Sequence, residues 1–349
     1  MPDIDMTQPV RVRPDWLALR PPEPVLDPTR EIVDSHHHLW DQPGDRFLLP
    51  DLLGELAAGH RVVQTVFVQC RSMYRADGPE ALRSVGEVEF VNGVAAMSAS
   101  GLYGGARACA GIIGYADLKL GPQVARVLDA LIRAGGDRFR GIRFPVAWHP
   151  DKAVCLTPQP TSSGLMRDAT VRAGAATLAR AGLSLDLWAG HTQLGDLFDL
   201  AANVPDLTVV VDHVGGPIGI GPYAGHRQEV LADWTAAMRR LATLPNVHVK
   251  LGGLAMRVGG FAFDLLPMPP SSEEVAAAWR PYIRTCIELF GPDRCMFESN
   301  FPVDKGMVGY RIMWNTFKRL TADFAENEKH ALFAGTARRV YKLDLCPGG

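Results

Sequence analysis

The sequence predicts a single (β/α)8 barrel, a TIM-like α/β fold, behind an extended N-terminal arm. Short runs of β-branched residues recur eight times after residue 30, and stretches with helical spacing of apolar residues separate them. Eight strands that alternate with helices are the pattern of this barrel. A doubly wound open sheet shows the same alternation, but such folds often carry a Gly-rich phosphate loop after the first strand, and none follows here. The barrel is therefore the preferred fold.

The elements follow in order along the chain. The predicted strands are 31–37, 62–70, 111–118, 139–144, 183–188, 207–214, 247–254 and 294–299. The clearest helical patterns lie at 121–134, 164–181, 226–243, 271–290 and 326–342. Residues 1–30 are rich in proline, which disfavours a regular helix, so they form the arm and residues 31–349 form the barrel domain. Trp16 and Leu17 indicate that the arm packs on a protein surface, and a neighbouring subunit of a homo-oligomer is one candidate.

Composition and charge exclude several kinds of partner. The formal net charge is −2, which offers no basic surface for nucleic acid or an anionic membrane. No apolar run approaches the roughly 18 residues that a membrane helix needs, and the N-terminus lacks the regions of a signal peptide. The six cysteines are scattered with no CxxC pair, as expected of free thiols. We therefore expect a cytoplasmic protein that acts on a small molecule.

A run of three histidines ends the first predicted strand, in the stretch "EIVDSHHHLWD". Side chains alternate between the two faces of a strand, so His36 and His38 share a face with Asp34, while His37 points away. Two imidazoles at this spacing lie roughly 6–7 Å apart at their roots, close enough to converge on one ion. We assign His37 a packing or supporting contact instead.

A barrel places its chemistry at the carboxyl ends of its strands, and further histidines stand there. His213 ends the sixth predicted strand, where it shares a face with Val209 and Val211 before a Gly-Gly-Pro stop. His191 follows the fifth strand. One histidine at a strand end is usually an ordinary hydrogen-bonded residue, but a pair on one strand with a third on another favours a metal site.

Five stretches, taken in order, resemble the amidohydrolase-related family. They are "IVDSHHHLWD", "GIRF", "VVDHVGGP", "VKLGGL" and "FESNFPVD", and the resemblance covers the chain from about residue 31. This family contains metal-dependent sugar lactonases and 2-pyrone-4,6-dicarboxylate lactonase, with aromatic-acid decarboxylases as more distant relatives. The resemblance implies a TIM-like barrel, a divalent metal held by His36, His38 and His213, and arginines that hold a carboxylate or hydroxy-acid substrate.

The last of these motifs departs from the family pattern. Where the family has an aspartate as metal ligand and general base, this chain has Asn300, and Glu298 replaces a small residue two positions before it. Asparagine offers a carbonyl oxygen to a metal but cannot take a proton from water. Glu298 and Asn300 are the candidate catalytic residues; alternatively, Glu298 forms a buried ion pair with Lys250. Asp304, in the Pro-containing loop four residues past Asn300, is a third candidate base but is expected to lie in solvent. Zinc is the expected metal, with manganese as the alternative, and the loss of an anionic ligand leaves a metal-free site open.

Residues after other strands are candidate substrate contacts. Arg71 and Tyr74 follow the second strand, and Arg143 ends the fourth, with Trp148 just beyond it. A guanidinium group is shaped to hold a carboxylate with two hydrogen bonds, and pairing with a neighbouring acidic residue is the alternative role. His191, after the fifth strand, completes the candidate set.

The sequence leaves three functions open. The preferred one is hydrolysis of a lactone-type cyclic ester that carries carboxylate or hydroxyl groups, with a metal or the histidines alone polarising the carbonyl. The alternatives are metal-dependent decarboxylation of an aromatic or unsaturated acid, and a non-catalytic binding role on a disabled barrel. Asn300 keeps the last alternative open, and the retained histidines argue against it.

Overall fold

The computed structural model describes residues 10–157 and 161–344. In chain order the strands are β1 (Glu31–His37), β2 (Trp40–Gln42), β3 (Asp45–Phe47), β4 (Arg61–Val68), β5 (Arg107–Gly114), β6 (Phe139–Arg143), β7 (Ser184–Leu187), β8 (Val209–Val211), β9 (Val247–Leu251) and β10 (Cys295–Phe297). Within the described residues, eight of them form one parallel sheet in the order β1-β4-β5-β6-β7-β8-β9-β10, and β2 pairs with β3 in a separate hairpin. Each strand of the large sheet thus lies beside the next one along the chain.

The two edges of this sheet meet just beyond the end of β10. The backbone N–H of His38 donates to the carbonyl oxygen of Phe301 at 2.8 Å, and that of Asn300 donates to the carbonyl oxygen of His36 at 2.9 Å. These bonds bring the sheet nearly to closure. The predicted barrel is therefore confirmed, and an open doubly wound sheet is excluded.

Helices fill the connections between the strands. They are α1 (Pro14–Leu17), α2 (Leu49–Leu56), α3 (Val85–Ala99), α4 (Ala125–Gly135), α5 (Ala169–Arg180), α6 (Leu194–Asn203), α7 (Arg227–Ala242), α8 (Ser272–Phe290), α9 (Tyr310–Leu320), α10 (Glu326–His330) and α11 (Thr336–Val340). The predicted helical stretches are confirmed, except that a π-helical turn at Ala331–Gly335 divides 326–342 into α10 and α11. Polar caps fix the N-termini of two helices. Asp168 accepts hydrogen bonds from backbone N–H groups in the first turn of α5. In α8, the side chains of Ser271 and Glu274 each accept from the other residue's backbone N–H. Across residues 10–157 and 161–344, no helix has the length and apolar character needed to cross a membrane.

Apolar side chains fill the interior of the barrel as well as the space between strands and helices. In the interior, Val66, Val210 and Met296 are fully buried and pack with Tyr341, which follows α11. Burial of a large apolar side chain contributes roughly 1.5–3 kcal/mol to stability. The barrel is therefore a packed core rather than a pore, and its polar groups gather toward the ends of the strands.

The described part of the arm, from residue 10 onward, packs against its own barrel. The indole N–H of Trp16 in α1 donates to the carbonyl oxygen of Leu266 at 3.0 Å, and the backbone N–H of Leu26 donates to Asn315 Oδ1 at 2.9 Å. The first nine residues of the arm lie outside the described residues. The arm thus has a partner within its own chain, and a contact between subunits through it stays a prediction.

Candidate active site

Three polar side chains meet where β1, β8 and β10 end. His36 lies near the end of β1, His213 follows β8, and Glu298 follows β10 directly. Glu298 Oε1 lies 2.8 Å from His213 Nδ1, and Glu298 Oε2 lies 2.8 Å from His36 Nδ1. All three side chains are buried. One carboxylate thus contacts two imidazoles that come from different strands.

His38 adds a third imidazole to this group. Its ring centroid lies 4.9 Å from that of His36, and the ring centroid of His213 lies 4.7 Å from that of His36. His38 Nδ1 is 2.8 Å from the carbonyl oxygen of Val68, so this nitrogen donates and Nε2 carries the lone pair. Proteins commonly orient a metal-binding histidine through such a bond from its other ring nitrogen. We call His36, His38 and His213 the imidazole cluster.

Two glycines of the "VKLGGL" motif make room for this cluster. Gly252 and Gly253 follow β9, and a Cβ at Gly253 would overlap the ring of His213. A Cβ at Gly252 would overlap Glu298. Gly253 also has a φ of 66°, which residues with a side chain rarely adopt. The close approach of β9 to the paired His213 and Glu298 therefore requires both glycines.

The backbone at two site residues lies in the left-handed region. The φ angle is 55° at His213 and 54° at Asn300, and it is 49° at Val214, where a β-branched side chain makes it unfavourable. The backbone N–H of His213 donates to Glu298 Oε1 at 3.1 Å. That of Asn300 donates to the carbonyl oxygen of His36, as described above. Hydrogen bonds thus hold both strained turns at the site.

Lys250 of β9 lies in a fully buried ion-pair network. Its Nζ is 2.7 Å from Asp186 Oδ2 and 3.2 Å from Asp212 Oδ1. The hydroxyl of Tyr341 donates to the same Asp186 oxygen at 2.7 Å. The ion pair considered between Lys250 and Glu298 is therefore not formed, because Lys250 has two other carboxylates and Glu298 faces the imidazoles.

The surroundings of the imidazole cluster decide its protonation. Burial lowers the pKa of both His36 and His38 well below the ordinary value, so both are neutral. Burial opposes ionisation of Glu298, but the imidazoles of His213 and His36 outweigh it and lower the pKa of this carboxyl to about 2. Burial likewise opposes the charged form of His213, and contact with Glu298 overcomes it and raises the pKa of His213. Glu298 is thus ionised near neutral pH and accepts a hydrogen bond from His213 Nδ1.

Asn300 is held by a carboxylate four residues further on. Its Nδ2 donates to Asp304 Oδ1 at 2.8 Å, and the backbone N–H of Ala255 donates to Asp304 Oδ2 at 3.1 Å. Asp304 is fully buried, and burial raises the pKa of its carboxyl to about 7. The bond from Nδ2 fixes the amide of Asn300 so that its nitrogen faces Asp304 and its carbonyl oxygen points away. The loop therefore retains a buried carboxylate although an amide occupies the position of the family's aspartate.

The end of β1 does not alternate regularly, because its pairing with β4 shifts register twice. Asp34, expected on the face of His36, instead accepts a hydrogen bond from the hydroxyl of Tyr310 in α9 at 2.9 Å. The prediction for Asp34 is wrong for this reason. His37 contacts Thr65 Oγ1 through Nε2 at 2.8 Å, which is the supporting contact expected for it.

Of the predicted substrate contacts, Arg143 reaches the imidazole cluster. Its Nη1 lies 3.3 Å from His36 Nε2, and its Nη2 donates to the carbonyl oxygen of Gln69. Arg71 lies on the loop after β4, where it is exposed and has a φ of 64°. The structure thus brings one arginine into contact with the histidines and leaves Arg71 exposed on a neighbouring loop.

The remaining predicted contacts lie on loops around the strand ends. Tyr74 and Trp148 are half-buried, and His191 is buried with its ring 5.0 Å from that of Tyr223. The ring of Trp188, which is not among the predicted contacts, lies 5.0 Å from that of His213. One aromatic ring, that of Trp188 after β7, therefore lies beside the imidazole cluster.

Glu87 of α3 holds a loop beside the site, and no motif in the sequence marks it. Its Oε1 accepts the backbone N–H groups of Cys70 at 3.0 Å and Ser72 at 2.8 Å, and so holds the loop that carries Arg71. Glu87 is fully buried, and burial raises the pKa of its carboxyl to about 7. The one signal in the sequence is an acidic residue among the buried valines of α3, which predicts burial but no partner.

A parallel α/β barrel whose strand ends carry a buried imidazole cluster has the architecture of a barrel hydrolase. The chain belongs to the amidohydrolase family, since the model of the family described as Amidohydrolase matches residues 33–343. It is therefore a hydrolase that acts on a small molecule.

Relatives and solved structures match over nearly the whole chain. An uncharacterized protein of Sinorhizobium fredii, y4mH, is 32% identical over 89% of this chain and 98% of its own. L-fucono-1,5-lactonase of Burkholderia multivorans is 27% identical over 89% of this chain and 96% of its own. The crystal structure of a Burkholderia multivorans amidohydrolase with bound zinc superposes with a TM-score of 0.69, at 25% identity over 90% of this chain and 100% of that one.

The donors at this site suit a divalent metal. Ligand atoms of His36, His213 and Glu298 lie within 4.8 Å of one another, a group that includes Glu298 and does not include His38. His38 and His213 each have Nδ1 bonded to an oxygen acceptor, which leaves Nε2 for a metal. Imidazole nitrogen and carboxylate oxygen are ligands that zinc binds readily. The residues present therefore fit a metal of the kind on which amidohydrolases typically depend.

Proposed function

We propose that this hydrolase opens a lactone-type cyclic ester that bears carboxylate or hydroxyl groups. The observation that carries the proposal is the contact of Glu298 with two imidazoles, which orients buried nitrogen lone pairs at the barrel mouth. Two relatives named L-fucono-1,5-lactonase, matched over 89% and 90% of this chain, support a lactone as the substrate class.

Recognition of the substrate falls to guanidinium groups in this proposal. Arg143 contacts the imidazole cluster and can hold a carboxylate or hydroxyl of the lactone while the ring carbonyl faces the histidines. Arg71 reaches toward the substrate from the loop after β4, whose backbone Glu87 holds. Tyr74 and Trp148 supply the walls of the mouth, and His191 supports them from the next loop.

Ring opening adds water across the acyl C–O bond, with hydroxyl to the carbonyl carbon and a proton to the ring oxygen. The Nε2 lone pairs of His38 and His213 can accept the proton of the attacking water and return it to the leaving oxygen. Glu298 keeps His213 in the required tautomer, as the aspartate does in a Ser-His-Asp triad. With a pKa of about 2, Glu298 is too weak a base for this step near neutral pH, so we assign it a positioning role. The carbonyl oxygen of Asn300 accepts a hydrogen bond from the water.

The proposed cofactor is a divalent metal held by His36, His38 and His213, with zinc as the first candidate and manganese as the second. Bound there, the ion would polarise the lactone carbonyl and lower the pKa of its water. The same lone pairs serve a metal-free enzyme as proton acceptors. Dialysis against a chelator separates the two cases: activity that is lost and then restored by zinc or manganese indicates the metal form.

A substrate panel tests the proposal. L-fucono-1,5-lactone, 2-pyrone-4,6-dicarboxylate and other lactones are assayed for acid release, and aromatic acids are assayed for carbon dioxide. We expect acid release from at least one lactone, and a loss of roughly 100-fold or more in kcat/KM for His213→Gln. His226→Gln, an exposed histidine before α7, is the matched control and retains activity. Carbon dioxide from an aromatic acid, with all lactones inert, would identify a decarboxylase instead.

A further inference from the structure

His36 has a cationic side chain beside each of its ring nitrogens. Arg143 Nη1 lies 3.3 Å from His36 Nε2, and Lys250 Nζ lies 3.2 Å from His36 Nδ1. Guanidinium and ammonium groups only donate, so each needs a lone pair on the nitrogen that it faces. A neutral imidazole has one such lone pair. Only one of the two contacts is therefore a hydrogen bond.

The surroundings of Nδ1 decide where the proton of His36 lies. Glu298 Oε2 is 2.8 Å from Nδ1, and although the two atoms are not aligned for a hydrogen bond, an anionic oxygen at this distance repels a lone pair and favours the proton on this nitrogen. Lys250 does not depend on His36 as an acceptor, because Asp186 Oδ2 lies 2.7 Å from its Nζ. His36 therefore carries its proton on Nδ1 and presents the lone pair of Nε2 to Arg143.

The same lone pair is the one that a metal needs. Glu298 and Lys250 enclose Nδ1, which leaves Nε2 as the metal-binding nitrogen of His36. Zinc binds an imidazole nitrogen at about 2.0–2.1 Å along its lone pair. Arg143 Nη1 already lies at 3.3 Å in hydrogen-bonding geometry with this nitrogen. A guanidinium and a divalent ion repel each other, and the repulsion is stronger beside a fully buried side chain such as His36 than in water.

We propose that Arg143 and a divalent metal compete for Nε2 of His36, so that the guanidinium is the cation of the metal-free site. The carbonyl oxygen of Gln69, a buried residue after β4, accepts from Nη2 and holds the guanidinium in place. Asn300 acts in the same direction, since one missing anionic ligand and one added cation both weaken metal binding. The inference rests on the proposed imidazole cluster and not on the lactone substrate.

Zinc titration tests this competition. The protein is freed of metal with a chelator, and zinc affinity is measured by competition with a colorimetric zinc indicator. Arg143→Met removes the cation but keeps an apolar stem, and we expect zinc affinity to rise roughly tenfold or more. Arg75→Met removes an exposed arginine of the neighbouring loop and is expected to leave zinc affinity unchanged. An affinity of Arg143→Met equal to or below that of the wild type overturns the proposal.

A second measurement needs no variant. Nitrogen NMR of the histidine rings in the metal-free wild type reports which nitrogen of His36 carries the proton. A proton on Nδ1 supports the proposal, and a proton on Nε2 overturns it, because Arg143 then has no lone pair to face. Neither readout uses turnover, so a failure to hydrolyse any lactone would contradict the proposed function and leave this result unchanged.

Discussion

Glu298 Oε1 lies 2.8 Å from Nδ1 of His213 and 3.1 Å from the backbone nitrogen of the same residue. One carboxylate oxygen therefore fixes both the ring and the main chain of His213, whose φ of 55° is uncommon for a residue other than glycine. Loss of this contact would free the ring and the turn together. The geometry thus favours Glu298 as a residue that positions the imidazole cluster.

Glu298→Gln should weaken both folding and metal binding. The amide is neutral and has one accepting oxygen, so His213 or His36 loses its contact with a carboxylate oxygen. We expect the free energy of unfolding to fall by about 3 kcal/mol, as for a broken buried ion pair, and zinc affinity to fall roughly 10- to 100-fold. Urea unfolding and zinc titration measure the two effects. Glu273→Gln, an exposed change on α8, is the control.

The alternative role of Glu298 gives a different result. If this carboxylate is the general base, Glu298→Gln keeps wild-type stability while kcat falls roughly 100-fold or more. That combination would contradict the positioning role.

Gly253→Ala tests the close approach of β9 to the imidazole cluster. The added Cβ would overlap the ring of His213, and a φ of 66° is unfavourable for alanine. We expect a fall of roughly tenfold or more in kcat/KM for a lactone, because the imidazole is displaced, and a loss of about 1–3 kcal/mol in stability. Gly195→Ala in α6, where the surrounding space is open, should keep full activity. Wild-type activity in Gly253→Ala would argue against this packing.

The barrel could be predicted from the sequence because its strands are short β-branched runs between helical patterns. The predicted ends of the strands are less accurate where the composition of a segment is not typical of a strand. The third strand of the barrel, β5, begins at Arg107 rather than at the predicted residue 111. Its first residues, "RACA", include no β-branched or aromatic residue, so the sequence does not mark them as strand. Pairing with β4 overrides this local preference.

The imidazole cluster was predictable only in part. The spacing of His36 and His38, and the position of His213 at a strand end, pointed to one place in the barrel. The carboxylate partners of Lys250 could not be predicted, because the stagger of the strands decides which side chains meet inside a barrel. The burial of Asp304 also has no local signal, since a Pro-containing polar loop usually lies in solvent.

Asn300→Asp should be destabilising by itself. The new carboxylate would face Asp304 Oδ1 where the amide nitrogen now donates at 2.8 Å, and two buried carboxylates repel unless one is protonated. We expect the free energy of unfolding at neutral pH to fall by roughly 2 kcal/mol. The exchanged pair, Asn300→Asp with Asp304→Asn, restores one donor and one acceptor and should recover most of this loss.

Zinc binding of the exchanged pair completes this test. It moves the carboxylate to the position of the family's metal ligand, so zinc occupancy should exceed that of the wild type. Urea unfolding and metal analysis measure the two outcomes. A single Asn300→Asp variant as stable as the wild type would show that the hydrogen bond to Asp304 contributes little.

The buried carboxyl of Glu87 should make stability depend on pH. Burial, which outweighs its two backbone hydrogen bonds, raises its pKa from 4.5 to about 7 in the folded protein. Between pH 4.5 and about 7 the folded state therefore keeps a proton on Glu87 that the unfolded state loses. The stability that this proton contributes is complete below pH 4.5 and is lost as pH rises through 7. Glu87→Gln keeps the accepting oxygen for Cys70 and Ser72 but cannot titrate. We expect the stability of the wild type relative to Glu87→Gln to fall by up to about 1.4 kcal/mol per pH unit across this window. Urea unfolding at a series of pH values measures this dependence, with Glu89→Gln, an exposed change on α3, as the control. If the free energies of unfolding of the wild type and Glu87→Gln stay parallel across the window, Glu87 does not take up a proton on folding.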